Sequence, residues 1–499
     1  MQYHSTRDKS ISVSSAEAIK TGLSAEGGLF VPESFPSVSL DEIKNLASKS
    51  YNERAYFVLS KFLSDFTEEE LKKCIDSAYT KEKFETESIA PVYKLNDTTY
   101  FLELWHGPTC AFKDMALQIL PHFLTKSLKK TYDGKDAVIL VATSGDTGKA
   151  ALEGFKDVDH TKIIVFYPVD GVSPMQKHQM NTQEGNNVTV CAIKGNFDDA
   201  QTGVKKIFTT PEISAKLEAN NMLFSSANSI NWGRLLPQIV YYISAYCDLV
   251  NAGKIAMGDK INVVVPTGNF GNILASYYAS IMGLPINKFI CASNSNNVLS
   301  DFIKTGVYDK NRHFYTTISP SMDILVSSNL ERLLYKLSGN NADTTKELMT
   351  ALKTVGKYEV SDEIKAEIKS KFFGGFCDDE QTKATIKALF DTDNYLCDTH
   401  TAVAVNVYEQ YVEQTGDTTP SVIASTASPY KFSKAVLEAV SDGTDLPENE
   451  FDMVEKLFEV SNAPVPAPLA ALKDKKARFS DVTEVNSMPQ YVLDALNIK

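Results

Sequence analysis

The chain has little that would suit it to membranes, metals or disulfides. Its longest apolar tracts fall well short of the roughly 18 residues of a bilayer span, so no transmembrane helix is expected. The seven cysteines, at positions 74, 110, 191, 247, 291, 377 and 397, are an odd and scattered set without a CxxC spacing. That excludes a disulfide framework and a zinc site, and a reducing cytoplasm is the simplest compartment. Of the seven histidines, His106 and His400 lie in polar motifs, and none stands at metal-ligand spacing, so no metal is expected. Basic residues are outnumbered, 50 against 63, for a net charge of −13. The resulting field repels polyanions and argues against nucleic acid or an acidic lipid surface as partner. An anionic substrate would need a local device to hold it. The opening MQYHSTRDKSISVSSAEAIKTG has charges in its first ten residues and no apolar core, so it is not read as a secretory signal, nor has it the Arg-rich, acid-free bias of a transit peptide.

What is present is ordinary globular material, 43% apolar and 23% charged over 499 residues. That length exceeds what one hydrophobic core sustains, so two or more domains are expected. The first ~90 residues carry helix-compatible stretches in which Leu46, Tyr51, Ala55, Val58, Leu59 and Phe62 recur at helical spacing. From about residue 137 short β-branched runs take over: Ala137–Ala142, Ile163–Tyr167, Val188–Ile193, Ile261–Val265 and Phe289–Ala292 read as buried strands. Amphipathic segments between them, including Asp198–Phe208 and Pro237–Val250, suit crossover helices. The fold class is α/β, with a mainly parallel sheet. Residues 340–392 turn charged with helical periodicity, and SNAPVPAPLAAL near 461–472 is a Pro-rich turn entering a helix.

Three turns carry the chemistry. In WHGPTCAFKD, residues 105–114, Lys113 stands just before a helix that reads as interrupted or kinked at Pro121. A helix N-terminus and the apolar neighbours Trp105, Phe112 and Met115 disfavour an ammonium and favour a neutral, nucleophilic amine. A solvated loop lysine beside an Asp114 N-cap fits these residues equally well. In PTGNFGN, residues 266–272, a glycine turn joins a strand to a helix and leaves several N–H groups aimed at one small volume, a phosphate-binding device. It matches neither the dinucleotide fingerprint nor the Walker loop, and a purely structural turn is the competing reading. In ATSGDTGKAA, residues 142–151, hydroxyls and amides at a helix start suit a carboxylate; a capped tight turn explains them equally. Two further polar turns are ANSINWGR, 227–234, and STASPYKF, 425–432, where Ser428 and Pro429 form a cap pair and Thr426 is left unexplained.

In this order, HGPTCAFKD, SGDTGKAA and GNFGN resemble the fold-type-II pyridoxal-phosphate enzymes of the tryptophan synthase β-subunit superfamily. The stretches YHSTR, EGGLFVPE, NSINWGR, SPSMDIL and HTAVA make the chain similar to the threonine synthase family in its longer form, over almost its whole length. The resemblance implies two mainly parallel α/β domains and an N-terminal helical domain over 1–92. It also implies a catalytic region over 93–345, with a small subdomain at about 130–220, and a C-terminal part, 346–499, completing the large domain with a helical insertion. It implies pyridoxal 5'-phosphate as cofactor, attached through Lys113, with its phosphate cradled by Gly268, Asn269, Phe270, Gly271 and Asn272 and its ring nitrogen facing Thr426. Ser144, Asp146 and Thr147 would border the substrate carboxylate, while Asn231, Arg234 and Lys149, in the polar turns, are the candidates for further substrate contacts and the substrate phosphate. The chain departs from many relatives at Ser428, where they carry His.

The implied reaction turns O-phospho-L-homoserine and water into L-threonine and phosphate, with Lys113 as the base that moves protons. A serine/threonine dehydratase or a lyase of phosphorylated substrates would use the same lysine and the same loop. A non-catalytic binding protein on this fold is the reading from another class, and the intact FKD lysine and GNFGN loop weigh against it. Oligomeric state is not read from the residues.

Overall fold

The computed structural model describes residues 1–131, 134–143, 145–170, 172–441 and 446–499. Near the N-terminus, capping boxes at Ser39, Ser50 and Thr67 start the helices Leu40–Leu46, Tyr51–Phe62 and Glu68–Ala78, each satisfying amides that a helix start leaves open. The apolar face expected of the second is buried at Tyr51, Ala55, Val58, Leu59 and Phe62. This region is not all helical. Tyr3–Ser5 pairs antiparallel with Ser12–Val13 and Phe30–Pro32, in strands too short to show a period of two. Nor does it have a core of its own. Trp232 lies 5.5 Å from Tyr3 and 5.8 Å from Phe62, ring to ring, so the N-terminal helices and the large domain share one apolar interior.

Two parallel sheets follow. The large one runs in the order Phe372–Phe376, Ile286–Ser293, Ile261–Pro266, Ser421–Ser425, Thr99–Glu103, Val92–Lys94, and only its last pair is antiparallel. The small one runs Val482–Glu484, Val188–Lys194, Thr161–Pro168, Asp136–Ala142, Met222–Ser225, all parallel. All five strands read from sequence fall in these sheets. The small sheet, however, outruns the expected 130–220. Met222–Ser225 closes one edge, and the C-terminal Val482–Glu484, from the part expected to complete the large domain, forms the other.

Two prolines sit differently from expectation. The helix after the lysine turn breaks at 118–119, between Asp114–Leu117 and Leu120–Thr131, so Pro121 falls in the first turn of the second piece, where its missing N–H costs nothing. Pro237 lies inside the helix Trp232–Asn251, which begins five residues earlier than expected because Asn231 caps it by accepting from Gly233 N–H at 2.8 Å. Among the described residues no helix is long and apolar enough to cross a membrane, and all seven cysteines are buried and free.

The turns of interest follow the C-terminal ends of parallel strands. The lysine turn follows Thr99–Glu103, TSGDTG follows Asp136–Ala142, GNFGN follows Ile261–Pro266 and TASPYKF follows Ser421–Ser425. Open α/β sheets bind ligands at these ends because the strand directions agree there and helix N-termini gather.

Candidate active site

The lysine turn is folded onto its neighbours before any ligand is considered. Phe112 N–H donates to Thr426 O at 2.8 Å, and Ala111 bridges Ala427, so the lysine turn and the TASPYKF turn form one unit. Asp114 is not the N-cap. It is the first residue of the short helix, and its carboxylate accepts from Thr109 N–H at 2.8 Å and Thr109 Oγ1 at 2.7 Å. Burial pushes the Asp114 carboxyl up to about 6. Gly107 is required by this packing, since a Cβ there would lie 2.7 Å from the Asp114 side chain.

Lys113 is buried, not a solvated loop residue, and its amine lies 3.2 Å from Ser321 Oγ and 3.6 Å from Asp146 Oδ2. Burial lowers its pKa; Asp146 opposes that, while the cations Lys431 and Arg234 add to it. The shift toward the neutral amine expected from sequence therefore has desolvation as its chief cause, with nearby charge second.

Asp146 opens the helix Asp146–Phe155 and turns its side chain toward a second lysine. Lys431 Nζ lies 2.7 Å from Asp146 Oδ1 and donates to Thr109 O at 2.8 Å, while Gln176 Nε2 donates to Asp146 Oδ1 at 2.9 Å. Burial would raise the Asp146 pKa, but Lys431 and Lys113 hold it well below the usual carboxylate range. The Asp146 side chain is thus a permanent counter-charge for two lysines, and what it leaves for an incoming carboxylate is backbone. Among the described residues the N–H groups of Asp146 and Thr147 find no acceptor, and Thr143 Oγ1 fixes the turn by accepting from Gly145 and Gly148 N–H. Ser144 lies outside the described residues.

At GNFGN the N–H groups of Gly268, Asn269, Phe270, Gly271 and Asn272 all lack an acceptor among the described residues. Phe270 adopts a left-handed conformation, φ 64°, immediately before the helix Gly271–Met282. Asn272 accepts from Tyr242 OH, and its Nδ2 is buried without a partner. Five consecutive open amides at a helix start, with one buried donor beside them, are a polyvalent anion cradle. The loop is fixed from behind. Asn329 N–H and Nδ2 donate to Asn269 O at 3.0 and 3.1 Å, and Ser327 Oγ donates to Gly268 O at 2.7 Å.

Arg234 is buried, donates from one nitrogen to Ala227 O at 3.0 Å, and leaves Nε without any partner. Burial lowers its pKa to about 10, so it stays a guanidinium with no carboxylate bonded to it. The other two cation-side candidates are engaged in the fold. Asn231 is fully buried, donating to Ile19 O and Ser226 O and accepting from Gly233 N–H, so both donors of its amide are engaged within the fold. The Lys149 amine is held by Glu153 at 3.1 Å and by Gln183, and no bond joins it to Lys113, Asp146 or Arg234. Thr426 is buried, and its hydroxyl bonds to none of the described residues. Sequence reasoning passed over Lys431, Ser321 and Asn329. Lys431 stands in a motif that was quoted, but only the single turn Pro429–Phe432, capped by Ser428, shows that it points inward.

Similarity to known proteins extends along the chain. The family described as "Threonine synthase N terminus" matches residues 2–79, "Pyridoxal-phosphate dependent enzyme" matches 85–361, and "Threonine synthase, C-terminal" matches 401–492. Threonine synthase of Pseudomonas aeruginosa is 38% identical over 91% of this chain and 94% of its own. The chain belongs to the threonine synthase family. A crystal structure of PLP-bound threonine synthase from Brucella melitensis superposes with a TM-score of 0.88 at 36% identity, covering 99% of both chains. Human threonine synthase-like 1 is 41% identical over 85% of this chain, which spans only 58% of that longer protein. As a threonine synthase family member the chain is a fold-type-II enzyme of the pyridoxal-phosphate-dependent class, and the donor set fits that cofactor. The five open amides suit its phosphate, the desolvated Lys113 amine suits its aldehyde, and the unbonded Thr426 hydroxyl suits its ring nitrogen.

Proposed function

We propose that the protein converts O-phospho-L-homoserine and water to L-threonine and phosphate, the last step of threonine biosynthesis. The observation that carries this reading is the charge around Lys113. One carboxylate, Asp146, is shared by the buried Lys113 amine and Lys431, while the buried Arg234 guanidinium, whose charge acts on Lys113, has no ion-pair partner among the described residues. A buried surplus of positive charge is costly unless an anion completes it. A doubly charged phosphate ester completes it; an unphosphorylated hydroxy-amino acid, the substrate of a dehydratase, does not.

Pyridoxal phosphate, when bound, supplies the electron sink for charge developing on the substrate carbons. Gly268 to Asn272 would hold its phosphate through main-chain amides, and Lys113 would carry its aldehyde carbon. The amides of Asp146 and Thr147 would orient the substrate carboxylate, and Arg234 would grip the leaving phosphate at Cγ. The Lys113 amine, its pKa lowered by desolvation, would take the proton from Cα, move protons at Cβ and Cγ, and return one to Cα. In balance, the Cγ–O bond breaks, water adds its oxygen at Cβ, and Cγ ends as a methyl group. Seven buried free cysteines support a reducing compartment, the cytoplasm, as the place of action.

The test is product analysis with purified protein loaded with pyridoxal phosphate. Threonine and phosphate are expected in equal amounts. Release of 2-oxobutanoate and ammonia from phosphohomoserine, or activity on serine alone, would replace this reading with a lyase or a dehydratase. A colourless protein that gains no visible band on adding the cofactor would overturn it entirely.

A further inference from the structure

We propose that Ser321 is a positioning residue for the Lys113 amine, and that the buried pair Asp398 and His400 sets it in place. This rests on the reading of Lys113 as the proton carrier. The proposed reaction needs that amine in two states, joined to the cofactor and free beside the substrate carbons. A free amine on a four-carbon stem has many rotamers, and only a few of them are productive. Within the site Ser321 Oγ is the neutral group that receives this amine, at 3.2 Å.

Ser321 cannot drift. Its own N–H donates to His400 Nε2 at 3.1 Å. An amide can only donate, so Nε2 is the accepting nitrogen and the ring proton sits on Nδ1, directed at Asp398 Oδ1 at 2.8 Å. Asp398 caps the helix Thr399–Thr415 through His400 and Thr401 N–H, and the next residue, Thr399, ties the same segment by donating to Ile318 O at 2.8 Å. The imidazole is held edge-to-face against Phe432, centroids 4.9 Å apart, on the turn that carries Lys431. Ser321 also lies against the phosphate cradle, since a Cβ on Gly268 would come within 2.7 Å of its carbonyl oxygen. One residue therefore touches both places where the cofactor would be anchored. Its backbone is fixed by a buried histidine whose tautomer is fixed in turn by a carboxylate, the outer-layer arrangement that orients reactive groups elsewhere.

The experiment compares S321A, S321T, H400L, H400Q and the double variant S321A/H400L, each loaded with pyridoxal phosphate and also stripped of it. In S321A we expect kcat to fall about tenfold with KM nearly unchanged, the size of one lost hydrogen bond to a reacting group. The rate at which the visible band forms, when cofactor is added to the stripped protein, should slow by a similar factor while the final band intensity is kept. S321T should restore both. H400Q, which keeps an acceptor near the position of Nε2, should lie between wild type and H400L. The double variant should be no worse than the poorer single one, because both act through the same amine. Wild-type kcat and band-formation rate in S321A, or additive losses in the double variant, would overturn the proposal. If H400L does not fold, S321A against S321T still decides. Absence of any band in the wild-type protein would instead sink the reading of the site itself.

Discussion

The Lys431 ammonium, fully buried, sits 2.7 Å from Asp146 Oδ1, and the second oxygen of that carboxylate is 3.6 Å from the Lys113 amine. Two lysines thus share one carboxylate. Whatever charge Asp146 gives to Lys431 is withheld from Lys113, and this keeps the reactive amine short of a full ion pair.

Replacing Lys431 with methionine removes the competitor. Asp146 then acts on Lys113 alone and the repulsion from Lys431 is gone, so both changes raise the Lys113 pKa. The acidic limb of the kcat profile should move to higher pH by about one unit, and activity at neutral pH should fall. Breaking a buried pair from one side should also cost about 3 kcal/mol of stability, measured by denaturant unfolding. An unmoved pH profile would show that Lys431 matters only to folding.

Arg234→Ala should lower kcat/KM on phosphohomoserine by about 100-fold while the visible cofactor band stays intact. Arg234→Lys should recover only part of this, because a point charge cannot match the planar fork of the guanidinium. Loss of the band itself would place Arg234 in cofactor binding.

The phosphate cradle depends on Asn329, which closes on Asn269 O with two donors. Asn329→Ala should weaken cofactor binding about tenfold, read by titrating stripped protein with pyridoxal phosphate. Gly268→Ala should be worse, since its Cβ would lie 2.7 Å from a main-chain oxygen that has no freedom to rotate away. Equal cofactor affinity in all three proteins would refute the role given to the loop.

Asp114 gives a pH signature. Its carboxyl sits at about 6 in the fold against 3.8 as a free side chain. Below about pH 4 it is protonated in both states and costs nothing; between there and about 6 only the unfolded chain ionises it. Stability should therefore fall through that window by about 2–3 kcal/mol from this residue. In Asp114→Asn, which can still pair with Thr109, that part of the loss should vanish in melts run from pH 4 to 7. Parallel curves for the two proteins would contradict the assignment.

Much of the framework was legible because it depends on local rules. Short β-branched runs such as Ile261–Val265 read as buried strands, capping boxes announce their helices, and a glycine turn between strand and helix leaves donors open whatever surrounds it. So the α/β class could be read directly from the order of residues, while Lys113 and Gly268–Asn272 stood out there as candidates that only the resemblance joined into one site. Where pairing partners are far apart, reading failed. Val482–Glu484 joins the small sheet by pairing with residues 290 positions away, as 482 − 192 shows, and nothing local marks it.

The division within the site has the same cause. Residue type and spacing determined which groups could do chemistry: a lysine before a helix, free amides, an arginine in a polar turn. Only the tertiary structure decided which of them remain available, because that depends on neighbours distant in the chain. Asn231 and Lys149 looked as open as Arg234, yet contacts with Ile19, Ser226, Glu153 and Gln183 occupy the first two and leave the Arg234 Nε bare. Lys431, Ser321 and His400 acquired their roles in the same way, from distances of about 3 Å to residues between 79 and 285 positions away, as 400 − 321 and 431 − 146 show.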